Sequence, residues 1–128
     1  MVNYNTCLLP NGLRIIHKQL DSPVVYCGYE LNVGTRDEQK GEEGMAHLCE
    51  HATFKGTTRR KAIDIIRYLE QVGGDLNAYT NKEETVVYSA FLAEHFPRAV
   101  ELLADIVFHS TFPQAEIDKE VEVIIDEI

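Results

Sequence analysis

The segment His47-Leu48-Cys49-Glu50-His51 constrains this chain more than any other. On a helix, histidines four residues apart lie on one face, roughly 6 Å apart along the axis. Both imidazoles can then reach a single tetrahedral zinc. Glu50, three residues after His47, projects near the same face. It sits too close to be a comfortable third ligand, but it can accept a proton from a zinc-bound water, as in an H-x-x-E-H motif. The bland alternative is a histidine-rich helix face turned to solvent. Met45 to Phe54 is expected to form the helix, bounded by Gly44 and Gly56.

A catalytic zinc site needs a third protein ligand and an open position for water. The last helix, expected over Gln114 to Ile128, offers candidates. Glu120 and Glu127 are seven residues apart, two turns with about 20° of drift, and therefore share a side. They flank the apolar stripe Ile117, Val121, Ile124 and Ile128. A carboxylate there is partly buried and needs a partner. One can ligate the metal while the other holds a ligand histidine in its tautomer. The alternative is two solvated glutamates, which is how Glu116, Asp118, Glu122 and Asp126 read.

The remaining pattern places this motif in an α+β fold. Strands are expected on either side of the turn Pro10-Asn11-Gly12, over residues 4–9 and 13–18, and again over Val24 to Val33. Thr35 to Gly44 reads as a loop. Ala62 to Val72 reads as a helix with Ile63, Ile66, Leu69 and Val72 as its stripe, stopped by Gly73-Gly74. Asp75 to Thr80 and Thr85 to Leu92 form a second hairpin around Asn81-Lys82-Glu83, with Tyr79 and Tyr88 as sheet residues. A helix near Pro97 to Phe108 carries Val100, Leu103, Ile106 and Val107. The order implies a mostly antiparallel sheet with helices layered on it. The last stripe is expected to pack onto something further, as if the architecture continued beyond Ile128.

Charge narrows the function classes. Twelve basic residues stand against 21 acidic ones, a net of −9, which argues against nucleic-acid binding, since that needs a basic stripe. The same balance weakly favours basic peptides as partners. No apolar run approaches the ~20 residues of a membrane span, and no signal peptide is visible, so a soluble, cytoplasmic protein is favoured while the compartment stays open. Three cysteines, Cys7, Cys27 and Cys49, lack metal-type spacing and are expected to be buried free thiols. His17, His95 and His109 are expected to be surface or hydrogen-bonded histidines, and Lys55, Arg59 and Arg60 a solvated face.

Three segments together carry a resemblance: GTRDEQKGEEGMAHLCEHATFKGT from Gly34, GGDLNAYTNKEETVVY from Gly73, and EVEVIIDEI from Glu120. They resemble the pitrilysin/insulinase family of zinc peptidases, the inverzincins, and within it the mitochondrial-processing-peptidase type and the small bacterial members. The likeness runs from Asn3 to the end of the chain, with order and spacing kept. It implies an α+β fold of mostly antiparallel sheet with helices on one face, the chain being an incomplete N-terminal part of a pitrilysin-type domain. It implies one zinc held by His47, His51 and Glu127, with Glu50 as general base and Glu120 supporting a ligand histidine. Asn77 and Ala78 would belong to the edge that takes an extended peptide as a further strand, and Phe54 would line the site. Cys49 stands where the family carries a larger apolar residue. A later domain of the same chain would close over the site and supply an arginine and a tyrosine.

The implied activity is a zinc metalloendopeptidase acting on extended peptides. The competing readings are a zinc-binding but inactive fragment, a non-catalytic peptide-binding subunit, and a structural acidic fragment without stoichiometric zinc. Loss of a downstream domain would expose apolar surface and favour self-association into a homo-oligomer.

Overall fold

The computed structural model describes residues 3–127. Pro10-Asn11-Gly12 turns the chain as its composition demands. Gly12 takes φ +93°, a left-handed conformation that costs a glycine little. Strands β1 (Asn5–Leu8) and β2 (Arg14–His17) pair antiparallel, with Asn5 opposite His17 and Leu8 opposite Arg14. This hairpin is a sheet of its own, and all eight of its strand residues are exposed.

The second sheet has the order β3 (Val24–Leu31), β5 (Thr85–Leu92), β4 (Asp75–Thr80), antiparallel throughout. Strand β5 sits in the centre and alternates strictly, with Thr85, Val87, Ser89 and Phe91 buried. That inward face meets the helices. Helix α2 (Ala62–Glu70) contributes Ile65 and Leu69, and helix α3 (Phe96–Phe108) contributes Ala99, Leu102, Leu103 and Ile106; with Val87 and Phe91 they make the core. Helix α1 (Met45–Ala52) lies against β4, and helix α4 (Gln114–Glu127) packs on α1. Both outer edges of this sheet, β3 and β4, are unpaired among the described residues.

The α+β class with helices on one face of an antiparallel sheet is the one expected. Two stripes differ. In α2, Ile63 and Ile66 are exposed and Ile65 is buried instead. The reason is geometric: an i+3 series drifts about 60° per step, so Ile63 and Val72 stand on opposite sides. Ile65, Leu69 and Val72, at steps of four and three, share a face. In α4, Val121 turns outward while Glu120 and Ile124 are buried. Ile128 lies outside the described residues.

The loop before α1 works as a bracket. Thr35 and Arg36 donate their backbone N–H groups to the carbonyls of Asn81 and Lys82, at 3.0 and 2.9 Å, which fastens the β4–β5 turn. Gly34 permits this approach, because a Cβ there would come within 2.4 Å of the Asn81 carbonyl oxygen. Two residues after Arg36, Glu38 accepts the N–H of Ala46 at 2.8 Å and caps the first turn of α1. One loop therefore ties the hairpin end to the start of the helix.

Behind α1, Arg60 and Asp105 replace the expected solvated face. Asp105 is 2% exposed and accepts from Thr57 and Arg60, each at 2.7 Å, and from His109 at 3.2 Å. Glu101 takes the other arm of Arg60 at 2.6 Å. Arg59 does stay solvated. This network pins the segment after α1 to α3.

Candidate metal centre

Helix α1 sets His47 and His51 on one face, as the four-residue spacing requires. Their Nε2 atoms approach to 3.0 Å. From α4, Glu127 Oε2 comes within 3.3 Å of His47 Nε2 and 3.8 Å of His51 Nε2. The three donor atoms all lie within 4.8 Å of one another. Ligands at about 2.0–2.1 Å from a tetrahedral zinc stand roughly 3.3 Å apart, so the donor set fits one such ion.

Glu120 stands behind His51. Its Oε2 is 2.7 Å from His51 Nδ1, and its Oε1 is 3.1 Å from Lys55 Nζ. With Nδ1–H given to the carboxylate, His51 keeps a lone pair on Nε2, on the side of His47 and Glu127. Burial alone would raise the Glu120 pKa. Hydrogen bonds from His51 and Lys55, together with the Lys55 charge, outweigh it and hold the carboxyl below its ordinary value. Lys55 is therefore half-buried and paired, which corrects its assignment to a solvated face.

Glu50 points from α1 toward the sheet, where the Thr80 hydroxyl donates to its Oε2 at 2.5 Å. Glu50, His51, Phe54, Leu76, Asn77 and Ala78 line one cleft of about 350 Å³. Its far wall is β4, whose outer edge is free and whose Asn77 is exposed. Every residue expected at the site is thus near this cleft or the adjoining donor cluster. Cys49 is not a core thiol: it is exposed and lines a second groove with Met45 and Phe112, on the other side of Glu50, which borders both. Cys7 is also exposed, and Cys27 half-buried.

The sequence alone did not reveal Lys55, Arg60 and Thr80 as partners of the carboxylates of Glu120, Asp105 and Glu50. For Thr80 a signal existed: it follows Leu76 and Ala78 on the inward phase of β4, where a hydroxyl needs a partner.

Fold and donor set define a class: α+β proteins in which a helix-borne pair of histidines and a carboxylate meet beside a free sheet edge. Within that class, this chain belongs to the insulinase family, peptidase family M16, whose profile matches residues 14–128. It is 42% identical over 123 residues to the rat mitochondrial-processing peptidase subunit beta, covering 96% of this chain and 25% of that protein. It is 43% identical over 127 residues to an uncharacterized zinc protease of Rickettsia bellii, covering 98% of this chain and 31% of that one. A solved structure of a protease from Helicobacter pylori superposes with a TM-score of 0.94 at 26% identity, over 98% of this chain and 31% of that chain. The chain therefore spans a quarter to about a third of the length of these relatives. Among the described residues no helix is long and apolar enough to cross a membrane.

Proposed function

We propose that residues 1–128 are the metal-binding part of a longer zinc metalloendopeptidase that hydrolyses extended peptides. The observation that carries this is the convergence of His47, His51 and Glu127 donor atoms within 4.8 Å, beside a carboxylate and a free strand edge. His47, His51 and Glu127 would hold one zinc ion, and Glu120 would orient His51. When bound, zinc polarises a scissile carbonyl and acidifies the attacking water.

The rest is the work of this chain's own groups. The free edge of β4, around Asn77 and Ala78, pairs with the backbone of an extended peptide and lays it along the cleft. Phe54 supplies an apolar contact to a side chain there. Glu50 takes the proton of the attacking water and returns it to the leaving amine, a contribution of about 10²–10⁴ in rate. The donor cluster itself remains open, with Glu127 45% exposed. That openness favours a division of labour in which this part alone binds zinc, and the remainder of the longer chain covers the site and completes catalysis.

The test is zinc per chain after chelation and reconstitution, beside Glu127→Gln and Glu50→Gln. One zinc per chain is expected, much weakened in Glu127→Gln and retained in Glu50→Gln. In the full-length chain, Glu50→Gln should abolish cleavage of an internally quenched peptide. Absence of zinc from the unaltered protein overturns the proposal.

A further inference from the structure

We propose that Thr80 is a positioning residue for the general base: its hydroxyl fixes the Glu50 carboxylate in the orientation that receives the proton. This deepens the reading of Glu50 given above and rests on it.

A glutamate side chain has three rotatable bonds, and its terminal torsion is broad. An unsupported carboxylate spends much of its time misdirected, which lowers any proton-transfer rate. Here Oε2 of Glu50 accepts the Thr80 hydroxyl at 2.5 Å. Among the described residues, no hydrogen bond reaches Oε1. One oxygen is held and the other carries no protein hydrogen bond, the division a base needs, in a residue that lines the cleft.

The donor is itself well anchored. Threonine is stiff at χ1 because it is β-branched. Thr80 is the last residue of β4 and pairs with Thr85 of the central strand. The Thr85 hydroxyl lies 3.4 Å from that of Thr80 and donates to the Val33 carbonyl at 2.9 Å. The next residues, Asn81 and Lys82, are gripped by the backbone of Thr35 and Arg36. The same loop caps α1 through Glu38. Donor and acceptor thus stand on two elements whose separation is set by one bracket. The strand that presents Asn77 and Ala78 to a peptide also ends in the group that aims the base.

The experiment uses the full-length, zinc-loaded enzyme and an internally quenched peptide, with Thr80→Val, Thr80→Ser and Glu50→Gln. Valine keeps the shape and removes the hydroxyl. Losing a hydrogen bond to a charged group corresponds to roughly 10- to 100-fold, so kcat should fall by about that factor in Thr80→Val. KM and zinc content should stay within about twofold, because the bond touches neither substrate nor metal. Thr80→Ser should recover most of kcat. Crystal structures should show the Glu50 carboxylate in place in Thr80→Ser and displaced in Thr80→Val. If Glu50→Gln abolishes cleavage while Thr80→Val keeps its kcat, or the serine variant is as impaired as the valine, the inference is wrong. If Glu50→Gln still cleaves, the underlying assignment of the base fails first.

Discussion

Asp105→Asn tests the buried network that holds the segment following helix α1. Asp105 is 2% exposed and receives three hydrogen bonds, from Thr57, Arg60 and His109. Asparagine keeps the shape but loses the charge and turns an N–H₂ toward at least one donor. Breaking a buried ion pair costs about 3–5 kcal/mol. Arg60 retains Glu101 at 2.6 Å, which softens the loss, so about 2–4 kcal/mol is expected. For a chain of this size that is roughly a 10 °C fall in Tm. The pH dependence has a definite sign. Burial would raise the Asp105 pKa, but bonds from Thr57, Arg60 and His109 and the Arg60 charge overcome it, leaving the carboxyl below its ordinary value. Its stabilising contribution is then complete above the unfolded value of about 3.9 and is lost as pH falls through the folded one. Urea unfolding followed by circular dichroism should show a constant gap between wild type and variant from about pH 7 to pH 5, narrowing below about pH 4. A gap under about 1 kcal/mol at neutral pH, or one that keeps its full size below about pH 3, refutes the reasoning.

Other expectations follow from the same geometry. Glu120→Gln should weaken zinc about 10- to 100-fold in chelator competition, and an unchanged affinity would remove Glu120 from its supporting role. Lys55→Met should weaken zinc less than Glu120→Gln does, with Lys55→Arg closer to wild type in the same assay; equal losses in both Lys55 variants would count against a charge partner. Gly34→Ala should destabilise by about 1–3 kcal/mol in urea unfolding, since its Cβ would meet the Asn81 carbonyl; a neutral result would show the bracket to be slack. Ile16→Lys, at a site 72% exposed, should move stability by no more than about 0.5 kcal/mol in urea unfolding; a larger loss would show that the hairpin face is packed.

Much of this was legible because the decisive signals are local. Four-residue spacing puts His47 and His51 on one helix face, and seven-residue spacing does the same for Glu120 and Glu127. Alternation and the Asn81-Lys82-Glu83 turn gave β4 and β5 their limits. What escaped depends on pairing at a distance. Arg60 meets Asp105 across 45 positions with no periodic signature, and Thr80 meets Glu50 across 30, where the inward phase of β4 marks the hydroxyl but not its partner. Cys49 misled because a small apolar residue inside an amphipathic helix reads as core, whereas this helix covers its inner side with Leu48 and Ala52 and leaves the thiol toward a groove. The α2 stripe failed for another reason: its i+3 series drifts around the helix, so Ile63 and Val72 cannot share a face, whereas Ile65 and Leu69 do and are buried where α2 meets α3 and β4.

The free edge of β4 among the described residues has a consequence of its own. Proteins ordinarily blunt an open strand with prolines, bulges or inward charges, since unpaired backbone groups recruit any extended chain they meet. A strand that takes extended peptides, as proposed for β4, can use none of those guards, because each would also turn away its cargo. On the proposed reading, selection then falls on backbone state before side chains: the edge from Asp75 to Thr80 takes a chain only where that chain is extended and unpaired.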